Sequence, residues 1–222
     1  MRGSVLARSR RLTGVLGLGL EAAALGHRRL VQGRGARYLQ RAFWRTFCED
    51  AACFGFVWLD GARVAGFVAG TTDRDAFIGS VVRRAPIEFM WRLALAAARR
   101  PRMIAHAAGL ALRLREQRLA GGPGAELISL GVLPRAARPA VAAESAGGQR
   151  PVSPALVLIA ASAAHLGDRG VASFRLYTGA TNHLACAFYR RLGFPEASRF
   201  TMFGEDKVGF TGNVFAPAFD TL

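Results

Sequence analysis

The stretch from Glu126 to Thr178 leaves few folds open. It begins with a largely apolar run, Glu126-Leu-Ile-Ser-Leu-Gly-Val-Leu133, stopped by Pro134. A polar loop follows. Ser153 is then a good helix N-cap, Pro154 suits the first helical position, and Ala155 to Leu166 is an apolar run closed by Gly167. Phe174 to Thr178 supplies a second strand. Strand, loop, helix and strand in this order make a βαβ unit, whose crossover should be right-handed and whose strands should be parallel. Its loop leads into a helix N-terminus, where free N–H groups and the helix dipole offer a natural pyrophosphate site. Many such units bind nothing, so on the residues alone packing and phosphate binding both stay open.

The flanking sequence fills out a mixed α/β fold. Tyr38, Leu39, Ala42, Phe43 and Phe47 recur at helical spacing and predict an amphipathic helix over 37–47. Phe54 to Leu59 and Arg63 to Ala69 read as strands joined by the turn signal Asp60-Gly61. Ile87 to Arg100 and Met103 to Arg118 read as helices parted at Pro101, a helical insert over 85–120 that ends in the Gly121-Gly122-Pro123-Gly124 linker. Thr181 or Asn182 caps a last helix through Leu192, with Gly193 as its left-handed stop. Arg199 to Phe203 and Lys207 to Val214 complete the chain as antiparallel strands. No strand is recognisable before Arg28, so residues 1–36 read as a diverged N-terminal segment of a single domain, 1–222.

Composition narrows the partners. With 222 residues and 51% apolar content the chain can bury one core. A formal charge of +15 suggests an anionic partner. Yet Lys207 is the only lysine, and the arginines are scattered with no aromatic-plus-basic signature. A phosphate-bearing small molecule therefore explains the charge more economically than nucleic acid. Cys48, Cys53 and Cys186 fit neither a zinc site nor a disulfide framework, and the four histidines form no cluster, so neither metal nor export is expected. The apolar run Val15 to Leu20 is interrupted by Glu21, and Leu93 to Leu114 by Arg99, Arg100 and Pro101. Neither reads as a leader or a membrane span, and the expected setting is cytoplasmic.

Three segments carry a family resemblance. Asn182 to Phe194, reading NHLACAFYRRLGF, closely resembles the last helix of the GNAT acetyltransferases; Leu130-Gly-Val-Leu-Pro134 and Arg63-Val-Ala-Gly-Phe-Val-Ala-Gly70 are similar to strands of the same family. The resemblance implies a central, mostly antiparallel sheet with a parallel βαβ segment, flanked by helices. It also implies acetyl-CoA or another short acyl-CoA as co-substrate, a small-molecule or peptide amine as acceptor, and a cleft where strands 126–133 and 173–178 splay apart. The family's loop pattern, Gln/Arg-x-x-Gly-x-Gly/Ala, fits Arg150-Pro-Val-Ser-Pro-Ala155 better than Ala137 to Ala142, with Ser153 in place of the first glycine.

Carried over residue by residue, the resemblance places acyl-CoA against Leu130, Val132, Leu133, Arg150, Ser153, Ala155, Asn182, Ala185 and Tyr189. It gives Tyr189 the role of donating a proton or hydrogen bond to the departing thiolate, and Glu126 that of accepting the amine proton. Glu88, Glu116 and Asp73 are weaker candidates for the base. The missing loop glycines motivate an alternative, a catalytically silent module that binds CoA or a nucleotide and regulates a partner. Acceptor identity and oligomeric state are not readable, although the 85–120 insert is the expected wall of the acceptor pocket.

Overall fold

A computed structural model describes residues 4–7, 43–60, 63–84, 91, 123–133, 153–202 and 205–215. Apart from Trp91, which is helical, the expected helices at 87–100 and 103–118, the start of the helix expected over 37–47, and Glu88, Glu116, Arg138 and Arg150 lie outside the described residues. Seven strands form one sheet in the order β1-β2-β3-β4-β5-β7-β6. They are β1 Ser4–Ala7, β2 Cys53–Asp60, β3 Arg63–Thr71, β4 Ala125–Val132, β5 Ser173–Gly179, β6 Glu196–Met202 and β7 Glu205–Asn213. Every neighbouring pair is antiparallel except β4 and β5. The mixed sheet with one parallel βαβ segment is thus the predicted architecture.

Local chemistry explains most elements. The β2–β3 hairpin closes with Asp60 opposite Arg63, which leaves the two-residue loop that Asp60-Gly61 signals. Helix α3, Pro154–Gly167, starts with proline at its head, where a missing N–H costs nothing. Helix α4, His183–Arg191, is capped by Asn182, whose Oδ1 accepts from the Ala185 amide at 3.2 Å. Gly193 past its end has φ 76°, the left-handed stop that the sequence suggests.

Four findings depart from expectation. A strand does exist before Arg28: β1 pairs with β2 from Ser4↔Leu59 to Ala7↔Phe56. Helix α2, Arg74–Arg84, was not expected, although Asp73 announces it by accepting the Asp75 and Ala76 amides on Oδ1. That duty makes Asp73 a cap. At α3 the Ser153 hydroxyl makes no capping bond, and the positive φ lies at Gly170 instead of Gly167.

The sheet buries both faces. Helices α3 and α4 cover one, with Leu158, Ile159, Leu166, Cys186 and Tyr189 packed on Phe54, Phe56, Leu127, Phe174 and Phe210. Across the sheet Phe47, from a helix α1 spanning 43–49, joins Ala69 and Phe77 of α2, and Ile128 packs against them.

Gly70 marks how tightly β3 and β4 approach. A Cβ there would sit 2.5 Å from the Phe54 ring, 3.0 Å from the Glu126 carbonyl oxygen and 3.0 Å from Leu127 Cδ2. Gly70→Ala should therefore destabilise the fold by about 1–3 kcal/mol, the usual cost of overpacking. Denaturant titration of the variant beside the parent checks this.

Candidate active site

The parallel pairing of β4 with β5 is short. It runs over Ala125↔Phe174, Glu126↔Arg175 and Leu127↔Leu176, and there it stops. Strand β4 continues to Val132 and β5 to Gly179, so the two diverge over 128–132 and 177–179. Along that opening β4 presents backbone N–H and C=O groups for which no β5 partner exists among the described residues. Five residues of extended chain make an open edge of roughly 17 Å.

A bulge sits at the apex. Ala69 pairs with Ser129 and Gly70 with Leu127, which leaves Ile128 as an extra residue on β4. The bulge switches the alternation of side chains. Before it Ala125 and Leu127 face the α3 side, after it Leu130 and Val132 do, and Ile128 faces Phe47, Ala69 and Phe77. Leu130 and Val132 are thus half-buried packing residues on the α3 side, whereas Leu133 is 49% exposed beyond the strand end.

Glu126 lies one residue before the apex. Because Ala125 and Leu127 point toward α3, alternation turns Glu126 to the opposite face, and there it meets Arg74 of α2. Arg74 Nε lies 2.9 Å from Glu126 Oε2, with side-chain exposures of 19% and 12%. The approach is out of line, and Oε2 has no hydrogen-bond donor among the described residues. Burial pushes the Glu126 carboxyl above its usual range; Arg74 and Arg175 pull it back, and Asp75 adds a smaller upward push. Burial is the larger influence, so the carboxyl holds its proton to higher pH than a solvated glutamate does. The Arg74 guanidinium also stands 5.9 Å from the centroid of Tyr177, the first β5 residue beyond the paired segment.

Helix α3 packs across β2, β3 and β4, and its N-terminal half lies over the open end of β4: a Cβ on Gly66 would sit 3.2 Å from Val132 Cγ2 and 3.3 Å from Leu158 Cδ1. Its first helical bond runs from Val157 N to Ser153 O, and Pro154 carries no N–H. The Ala155 and Leu156 amides are therefore the ones left without an intrahelical partner. Ser153 is exposed and Ala155 half-buried at this end.

On the α3–α4 face Tyr189 is 7% exposed and packed among Phe188, Phe194 and Phe210. Burial, with a smaller contribution from Cys186, pushes its phenol up to about 12. It thus keeps its proton across neutral pH. Asn182 is committed to capping α4 and occupies the amide of Ala185 in doing so. The sequence-predicted residues therefore divide: Leu130, Val132, Ser153, Ala155 and Tyr189 belong to the α3–α4 side, and Glu126 approaches the opening from the α2 side. Sequence reasoning missed Arg74, and only the cap signal at Asp73 pointed to the helix that carries it.

No protein-family model matches the chain, and no curated protein sequence does. Solved structures match across nearly the whole length. SsHAT is 21% identical with a TM-score of 0.56, covering 96% of this chain and 99% of its own. FeeM, an N-acyl amino acid synthase from uncultured soil microbes, is 12% identical with a TM-score of 0.55, covering 96% and 92%. A GNAT-family protein from Desulfovibrio desulfuricans is 11% identical with a TM-score of 0.53, covering 96% and 99%. The chain has the GNAT fold. Among the described residues no helix is long and apolar enough to cross a membrane.

The cap at Asn182 orients the helix that carries Tyr189. Asn182→Ala should cost about 1 kcal/mol, as lost N-caps do, while Asn182→Asp should stay near the parent. Melting temperatures of both variants test the assignment.

Proposed function

We propose that the chain is an acyl-CoA-dependent N-acyltransferase, related to the GNAT enzymes in chemistry as well as fold, that moves an acetyl or other short acyl group to an amine. The observation that carries this reading is the β4–β5 opening. Backbone of β4 without a β5 partner, helix-head amides of α3 without an intrahelical partner and the buried Glu126 carboxylate all belong to elements that border it among the described residues. An extended pantetheine arm suits the strand edge, and a diphosphate suits the helix N-terminus with Arg150. SsHAT and FeeM share the fold at low identity, which supports the reading without naming an acceptor.

In the proposed reaction a neutral amine attacks the thioester carbonyl, a C–N bond forms, and the C–S bond breaks. The amine proton passes to Glu126, directly or through water. Unpaired β4 amides stabilise the charge that develops on the carbonyl oxygen. The leaving thiolate is then close to Tyr189. A phenol near 12 is too weak an acid to hand its proton outright to a thiolate whose thiol titrates at about 8.5. Tyr189 therefore acts as a hydrogen-bond donor to the developing charge.

Release of free thiol from acetyl-CoA across a panel of amines is the direct test, and binding without release would favour the silent module. With an acceptor in hand, Tyr189→Phe should lower kcat by about 100- to 1,000-fold, the loss expected when one preorganised donor to a developing charge is removed, at unchanged acetyl-CoA affinity and melting temperature. Unchanged kcat would leave Tyr189 as a packing residue. Arg150→Ala should weaken acetyl-CoA binding by about tenfold or more, the loss expected for a charged hydrogen bond, and Arg138→Ala by much less. Equal effects would reject the frame that ends at Ala155.

A further inference from the structure

The apex of the opening holds a residue that no motif marks. Arg74 is the first residue of α2, and its position is fixed by the backbone before its side chain makes any contact: its amide donates to the Gly124 carbonyl at 2.9 Å, and Asp73 caps the turn it begins. From there the guanidinium reaches Glu126 on β4 and stands against the Tyr177 ring on β5. It thus bridges the two strands at the point where their pairing ends.

Burial alone would force Glu126 to keep its proton, since an ionised carboxylate deprived of water needs a compensating charge. Among the described residues the groups that face it are few, and Arg74 is the cation in contact with it. Helix α2 supplies Arg74 and Asp75, β5 supplies Arg175 and Tyr177, and β3 places the neutral Thr71 opposite. Arg175 also spends its Nε on the Pro123 carbonyl at 2.6 Å.

Building on the acyltransferase reading, we propose that Arg74 is the positioning residue that holds Glu126 ionised and oriented at the apex of the β4–β5 opening. Its approach to Oε2 is out of hydrogen-bond line, so the charge of the carboxylate is stabilised while that oxygen retains its capacity to accept a proton.

The experiment compares the full chain with Arg74→Gln and Arg74→Lys. The Glu126 carboxyl is followed by carbon NMR against pH, a measurement that needs no acceptor. Loss of an opposite charge in contact raises a carboxyl by about one pH unit or more, so Arg74→Gln should move the Glu126 titration up by that amount, and Arg74→Lys should restore most of it. With an acceptor, the reaction requires ionised Glu126, so kcat/KM falls as pH drops through its titration. The acid limb should then rise with the NMR titration in Arg74→Gln, giving about a tenfold loss of kcat/KM at a pH on that limb and little loss well above it. A Glu126 titration unmoved by Arg74→Gln overturns the proposal. So does a titration that moves while the acid limb stays put, because Arg74 then serves the fold alone. If the parent releases no thiol with any amine, the acyltransferase reading falls and the positioning role with it. Release by the parent with an unmoved limb overturns the positioning role only.

Discussion

Three residues of parallel pairing hold the two halves of the sheet together. A parallel ladder bonds neighbouring strands evenly, so its abrupt end at Leu127↔Leu176 turns two continuous strands into a wedge-shaped gap. Everything of chemical interest follows from that gap. It leaves β4 backbone without a β5 partner among the described residues, and it makes Glu126 the last polar side chain of β4 before the opening. A longer ladder would be a more stable sheet with no place for a ligand.

Holding a sheet open at its centre demands strong packing elsewhere. The α3–α4 face supplies it with Leu158, Ile159, Leu166, Phe174 and Phe210, all almost fully buried. The bulge at Ile128 divides the side chains of β4 between this core and the smaller cluster under α1 and α2. One strand thereby anchors in both layers. Tyr189 belongs to the larger core as much as to the site, which is why its phenol is shielded from water and holds its proton so firmly.

The legible parts of the sequence were those with local signals. Asp60-Gly61 marked the hairpin, Ser153-Pro154 the start of α3, and Asn182 with Gly193 the two ends of α4. The NHLACAFYRRLGF segment supported the resemblance that led to the fold. Strand β1 escaped because its pairing segment is four residues long, with no turn signal to bound it. Helix α2 escaped because three of its five apolar residues, Ile78, Val81 and Val82, are β-branched and weak helix formers, and its stability comes from Phe77 packing on Phe47 and from the Asp73 cap. The bulge shows in β4 only as the adjacent apolar pair Leu127-Ile128 between Glu126 and Ser129, and two neighbouring apolar residues do not by themselves signal one. The Arg74–Glu126 pair joins residues far apart in sequence, and neither residue type announces a partner.

The carbonyls of Pro123 and Gly124 are gripped by Arg175 and by the amide of Arg74, at the head of α2, while the outgoing chain leaves from Arg84 at the tail of the same helix. Eleven helical residues separate head from tail, roughly 16 Å along the axis. The described chain on either side of 85–122 is therefore tied to one helix, and the start of β4 is placed by these grips together with its pairing to β3. Fraying of α2 would thus loosen the end of β3, the start of β4 and the Arg74–Glu126 contact together.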